Sequence, residues 1–490
     1  MATVEDVLIE TPFGWVRGER MDGVACFRRL PYAAPCTGPN RFKTPAPLSP
    51  WTGVRDATVV GPIPPQLPSR LDAVMAANDA RQDEDCLHVD IWSPHSANER
   101  APVVVFIHGG AFLTGGGSLP CYDGRVLARR TGLVVVNITY RLGVLGFLPL
   151  PGIGAVNLGL HDQISALRWI QRAISSFGGD PSRVTVVGQS AGAFSIAVML
   201  GAPIGAELFH QAIMMSNPLG LKLRRAEERN PVGQALLQAL GLDPNESKKL
   251  RDVPVSRLLE TLRTLQPPTP ALPGDITPPF MPVIDGDLIP CDPRLSLQRG
   301  SAEWCRTIIG VTREEYASFL ISNRALADLT EDQLLRVFES EHGDHAAAAL
   351  EKARAQRAPA TPRALLGDLR SDFDFIKPSW AFAESQSERG QSAYAYRFDW
   401  QSPMPGLGAG HCIDLPFLFG NMENWGAAPM LAGADKAEIA DLSRVFQDAL
   451  GAFATTGDPN GANLPDWPPY RNGRAVLHFD RRIAASGRLE

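Results

Sequence analysis

The chain has no apolar run approaching 18 residues, so nothing in the sequence reads as a membrane-spanning helix. It also lacks any block of lysine and arginine: 53 acidic and 47 basic residues are spread along 490 positions, for a net charge of -6. A surface without a basic stripe does not track a phosphate backbone, which excludes nucleic-acid binding as a function class. Cysteine is scarce. Cys26, Cys36, Cys86, Cys121, Cys291, Cys305 and Cys412 are odd in number and show no CxxC spacing, against both a zinc site and a full disulfide framework. The opening "MATVEDVLIETPFGW" has acids and no basic n-region, so it does not read as a signal peptide. Together these absences predict a cytoplasmic protein; a secreted form already stripped of its leader would read the same.

What is present has α/β character. "PVVVFIH" (102–108), "LVVVNITY" (133–140), "RVTVVG" (183–188), "QAIMMS" (211–216), "RTIIGV" (306–311) and "AYAYRF" (393–398) read as strands, several apolar throughout, as a sheet covered on both faces requires. Helical periodicity lies between them. In "DQISALRWIQRAISSF", Ile164, Leu167, Ile170 and Ile174 fall on one face. Such alternation predicts a large, mostly parallel central sheet with right-handed crossovers and helices around it. An N-terminal hairpin precedes a proline-rich stretch, Pro31 to Pro68, expected to be loop. Residues 221–265 and 322–390 are charged helical pattern, and Pro267 to Pro290 is a proline-dense connector. We read one domain, 1–490, with insertions at about 217–300 and 316–390 packed around the sheet.

"VTVVGQSAGAFS" (184–195) carries the first chemical signal. Ser190 stands between a short strand and a helix, where a serine is an N-cap by default. Gly188 to Gly192 also spells GxSxG, the tight strand-to-helix turn that holds a serine Oγ clear of a sheet. With this glycine and serine content, roughly 0.2 such matches arise by chance, so the motif needs company. A nucleophile requires oxyanion donors, a base and an acid. Gly109, Gly110 and Ala111 in "FIHGGAF" directly follow a strand and form the HGGG-type loop whose small residues let backbone N–H groups approach a substrate oxygen.

In the α/β-hydrolase order the histidine comes last, after the acid. Of nine histidines, His210 is too early, His342 and His345 lie in polar helix, and His478 sits in a strand. His411 lies in a glycine-rich loop, "GLGAGHCIDLPFLFG". The acid should end a strand between serine and histidine, where "RTIIGVTREEYASF" supplies Glu314 and Glu315.

Read together, "DEDCLHVDIW", "HGGAF", "YRLGVLGFL", "GQSAG", "PVIDGDLIP", "GVTREEYASF", "GHCIDLPFLFG" and "FATTGDPN" resemble the type-B carboxylesterase and cholinesterase family, its bacterial para-nitrobenzyl esterase branch in particular, over nearly the whole chain. The resemblance implies an α/β-hydrolase fold with helical insertions around an active-site gorge. It implies Ser190 as nucleophile, Glu315 as acid and His411 as base. The N–H groups of Gly110, Ala111 and Ala191, with Gly109 in the same loop, would form the oxyanion hole. Ser216 would support the acid and histidine, and Phe319, with Phe112, would line the substrate pocket. Arg41 with Glu84, and Arg141 with Asp162, would be internal ion pairs.

Four positions depart from the family pattern. Gln189 replaces the glutamate before the nucleophile, and the segment from Leu67 to Asp83 has no aromatic residue, so a choline substrate is not expected. Tyr316 replaces a glycine after the acid and is expected to reshape the pocket wall. Pro64 stands where relatives place a cysteine, which leaves Cys86 unpaired. Asn217 replaces a glycine. The implied activity is hydrolysis of carboxylic esters, neutral apolar ones or those of aryl and bulky alcohols, through an acyl-serine intermediate. It needs no cofactor and no metal, and the expected partner is a small-molecule ester acting on a monomer or homodimer. Two alternatives are a carbamate or amide hydrolase with the same triad and a non-catalytic cholinesterase-like binding protein, the latter opposed by the intact triad.

Overall fold

Alternate residues of a strand point to opposite faces, and in "PVVVFIH" both faces are buried: Val103, Val105 and Ile107 enter one apolar cluster, Val104 and Phe106 another. The two clusters are the layers above and below a single 13-stranded sheet. The computed structural model describes residues 4–96, 99–265, 272–461, 464–471 and 473–487. In chain order the strands are β1 (Glu5–Thr11), β2 (Gly14–Met21), β3 (Val24–Pro31), β4 (Val54–Asp56), β5 (His88–Ser93), β6 (Ala101–Ile107), β7 (Val134–Ile138), β8 (Gly179–Gln189), β9 (Gln211–Met215), β10 (Arg306–Thr312), β11 (Ala393–Phe398), β12 (Val476–Phe479) and β13 (Ala484–Ser486).

Their spatial order is β1-β2-β3-β5-β7-β6-β8-β9-β10-β11-β12-β13. From β7 to β12 every neighbour is parallel, while β1 to β7 on one side and β13 on the other are antiparallel. Parallel strands need covering crossovers, which the intervening helices supply. The helix Leu158–Ala173 buries Ile164, Leu167 and Ile170 against one face. On the other, Lys436–Thr456 packs Phe446 edge-on to Tyr396 and Phe479. This mixed, mostly parallel sheet wrapped by helices is the α/β-hydrolase fold.

Two short strands differ from the expectation. The proline-rich stretch is not all loop, because β4 pairs with β2, and β13 adds an edge strand; three residues each is too short for a periodic pattern. Residues 226–240, 255–264 and 331–388 are largely helical, as read, and the first part of the predicted connector, 267–271, lies outside the described residues. The Arg41 guanidinium ties one insertion to the sheet side, pairing with Glu84 and donating to the Arg251 and Val253 carbonyls, each at 2.7 Å. All seven cysteines, Cys86 included, are unpaired. No helix among the described residues is long and apolar enough to cross a membrane.

Because β6, β8, β10 and β11 run parallel, the segments that follow them emerge on one edge of the sheet. That edge is where open α/β sheets place their ligands.

Candidate active site

Ser190 sits between β8 and the helix Ala191–Gly201 with φ 55° and ψ -120°, a conformation costly for a residue with a Cβ. Its N–H donates to the Met215 carbonyl at 2.9 Å, fixing the turn to β9. The flanking glycines are steric requirements. A Cβ on Gly188 would lie 2.5 Å from the Gly192 carbonyl carbon, and one on Gly192 would lie 1.9 Å from the Ile107 carbonyl oxygen. Asn217 braces the helix from the segment after β9, its amide donating to Ala193 O at 3.0 Å. The question of helix cap or exposed oxygen has a clear answer. Ser190 Oγ makes no capping hydrogen bond, and it lines a cavity instead.

Above it passes the loop after β6. Gly109 has room only as glycine, since a Cβ there would meet Gln189 Oε1 at 2.6 Å and Ser190 Cβ at 3.0 Å. Gly110, Ala111 and Phe112 all have positive φ (103°, 56° and 61°), and the N–H groups of Gly109, Gly110 and Ala111, like that of Ala191 at the start of its helix, have no acceptor among the described residues. The loop is held from behind. Phe112 O accepts from Gly143 N–H at 2.7 Å, and the His108 ring stacks on Tyr140 at 4.4 Å, its pKa pushed down to about 4 by burial, so it is neutral.

Glu315 follows β10 and is fully buried; its Oε1 accepts from Thr312 N–H at 2.8 Å and its Oε2 from His411 Nδ1 at 2.6 Å. Its neighbour Glu314 points elsewhere. It accepts from Ala409 N–H at 2.7 Å and pairs with Arg313, stapling the histidine loop to the end of β10. The imidazole of His411 lies between the rings of Phe319 and Phe375, with centroids at 5.1 and 5.2 Å. With Nδ1–H committed to the carboxylate, Nε2 carries the lone pair. That nitrogen is 3.2 Å from the Gln189 amide nitrogen, which is also 3.3 Å from Cys412 Sγ, and no hydrogen bond joins His411 to Ser190 Oγ.

Ser216 departs from what the resemblance implies. Ser216 does not support the acid or the histidine: its buried hydroxyl has no partner among the described residues. Its backbone has φ 48° with the N–H held by Gly310 O, and the hydrogen bonds to Glu315 come from Thr312 N–H and His411 Nδ1 instead. Tyr316 is buried, with its hydroxyl donating to the Gly274 carbonyl and its ring 5.4 Å from that of Phe319. Phe319 lines the main cavity, whereas Phe112 packs against Phe147 and Phe194 and touches only a small side pocket. His478 has a serine and an acid of its own, with Nδ1 2.7 Å from Asp399 and Nε2 2.6 Å from Ser486. This second constellation sits on the outer strands, and Asp399 is shared with Arg397.

The cavity over Ser190 holds about 450 Å³ and is walled by Leu119, Tyr122, Phe319 and Trp425 as well as the glycine loop, with His411 at its floor. Sequence reasoning missed Tyr122, Trp425 and Arg70, which come from segments without a catalytic motif. It also missed Asp414, three residues after His411. Burial first, and then the Glu315 charge, push its carboxyl up to about 7, while Tyr396 OH donates to it at 3.0 Å. The folded protein therefore keeps, between about pH 4 and 7, a proton that the unfolded chain releases. The associated stability is complete below about pH 4 and is lost progressively as pH rises from there through about 7, about 4 kcal/mol for a shift of this size. Asp374, pushed up to about 7 by burial, adds a similar share. Urea unfolding of Asp414→Asn between pH 4 and 8 is expected to show a stability loss of about half that of the native chain from this pair. An unchanged slope would mean that Asp414 does not titrate in that range.

A serine oxygen under free N–H groups, beside an imidazole oriented by a buried carboxylate, is the equipment of acyl transfer. Residues 5–488 match the model of the Carboxylesterase family. The chain is 38% identical over 470 residues to phenmedipham hydrolase of Pseudarthrobacter oxydans, covering 95% of this chain and 93% of that one. It is 36% identical over 485 residues to para-nitrobenzyl esterase of Bacillus subtilis (strain 168), covering 97% and 95%. Among solved structures, carboxylesterase EST55 of Geobacillus stearothermophilus is similar at 34% identity with a TM-score of 0.86, covering 98% of this chain and 97% of that one.

Proposed function

Since the chain belongs to the carboxylesterase family and is a serine-hydrolase-type carboxylesterase, we propose that Ser190, His411 and Glu315 are its nucleophile, general base and orienting acid. The 2.6 Å bond between His411 Nδ1 and buried Glu315 carries this reading, because it fixes the tautomer that leaves Nε2 able to take a proton.

Ser190 Oγ attacks the ester carbonyl while its proton passes to His411 Nε2, which leaves the Gln189 amide as substrate enters. The carbonyl oxygen, now negative, is received by the N–H groups of Gly110, Ala111 and Ala191, with Gly109 beside them; one such donor is typically worth about 10²- to 10³-fold in rate. The alcohol departs with the proton from His411. Water, deprotonated by the same nitrogen, then releases the acid from Ser190. The aromatic walls of the cavity favour esters with aryl or bulky alcohol portions.

Labelling with a fluorophosphonate followed by peptide mass analysis tests the assignment. The expected adduct is on Ser190, with none on Ser486, whose histidine and aspartate resemble a triad but do not border the cavity over Ser190. An adduct on Ser486 with Ser190 unlabelled in active protein overturns it.

A further inference from the structure

Four arginines with buried guanidinium groups are paired with carboxylates: Arg28 with Asp90 and Asp123, Arg41 with Glu84, Arg141 with Asp162, Arg370 with Glu341. Arg70 is not. It has no carboxylate within 4.0 Å among the described residues, and its one hydrogen bond runs from Nη1 to the Ile276 carbonyl at 3.1 Å. The guanidinium carbon stands 5.0 Å over the Phe319 ring, the same ring that flanks His411. Protein surrounds the group closely enough to depress its pKa by burial, yet the residue is exposed, because the space it faces is cavity.

Three cavities meet at this side chain. It borders the one over Ser190, a side pocket of about 20 Å³ behind Ser190 and Ala191, and a further apolar cavity of about 570 Å³ reached past the glycine loop. Only Arg70 and Ala111 line all three. In the latter two cavities Arg70 is the sole charged residue among those described. Asp72, Asp79 and Arg81 also line the first cavity; neither aspartate pairs with Arg70, and Arg81 is itself paired with Asp83.

An apolar substrate covering an unpaired guanidinium would strip its water and return nothing. A carboxylate would return charge-assisted hydrogen bonds, in the planar two-pronged geometry that arginine provides. Four of its five N–H donors have no partner among the described residues to surrender first. Taking Ser190 and His411 as the reacting pair, we propose that Arg70 is a carboxylate-binding subsite, so that the preferred esters carry a carboxylate on the acyl or the alcohol portion. This replaces the expectation of a wholly neutral substrate.

The test compares kcat/KM for two matched pairs. Charge on the alcohol is probed by 4-acetoxybenzoate against its methyl ester, and charge on the acyl chain by monoethyl adipate against ethyl hexanoate. In one pair, Arg70→Met is expected to lower the anionic-to-neutral ratio about 10- to 100-fold, chiefly through KM. Arg70→Lys should restore part of it, and the native preference should weaken with salt. Whichever pair responds identifies the portion that bears the charge. An unchanged ratio in both pairs, whether because both esters of a pair fall together or because none moves, overturns the subsite, as does a native enzyme that hydrolyses the neutral esters and neither anionic one. If native protein hydrolyses no ester and Ser190 takes no fluorophosphonate, the underlying assignment of Ser190 fails instead.

Discussion

Replacing Ser190 with alanine is expected to lower kcat by about 10⁵- to 10⁶-fold while leaving the protein folded, because it removes the nucleophilic oxygen and nothing that holds the turn. The separation of the two effects follows from the structure. Ser190 Oγ accepts and donates no hydrogen bond within the described protein, so its removal orphans no partner. The strained turn does not depend on it either: the backbone is held by the bond to Met215 and by the close approach of Gly192 to Ile107. Thermal or urea unfolding should place the variant within about 1 kcal/mol of native. Initial rates with 4-nitrophenyl acetate measure the loss. Retention of a few per cent of native turnover would assign the nucleophile elsewhere.

The second large effect concerns stability. Asp162→Asn is expected to lower the unfolding free energy by about 3 to 5 kcal/mol, the usual result of leaving a buried charge without its partner. Arg141 and Asp162 are both buried. Asp162 accepts the Arg141 backbone N–H at 3.0 Å and two guanidinium donors at 2.8 and 2.6 Å, and the remaining arm reaches Lys43 O at 2.9 Å. The pair clamps the turn after β7 to the helix Leu158–Ala173. Two residues beyond Arg141, Gly143 holds the Phe112 carbonyl under the glycine loop, so loosening this clamp is expected to reduce turnover as well. Replacing both partners together with leucine and methionine should recover much of the stability, since it removes the stranded charge. A single variant as stable as native in urea would show that the pair contributes little.

How much of this was legible in the sequence depended on whether the signal was local. The strands were readable because both faces are covered, so "PVVVFIH" had to be apolar throughout. The turn around Ser190 was readable as a turn, but cap and nucleophile differ only in where Oγ points, which tertiary contacts decide. Glu314 and Glu315 are adjacent and chemically identical; the bond to Thr312 N–H selects one, and the staple to Ala409 uses the other. Ser216 matched a motif, yet its hydroxyl makes no hydrogen bond to the acid or to any other described residue. Arg70 was overlooked because its segment drew attention only for lacking aromatic residues. Nothing within that segment shows that its cation is unpaired, since the pairing partner would come from any distance along the chain.

Gly188, Gly192 and Gly109 are locked in place by atoms 1.9 to 2.6 Å from where a side chain would begin, whereas Arg70, Tyr122 and Trp425 reach the same cavity from segments outside the sheet. The protein thus separates an immutable engine from replaceable upholstery. Laboratory evolution toward new esters should accumulate its accepted changes in the wall segments around residues 70–80 and 424–428, and almost none at the three glycines.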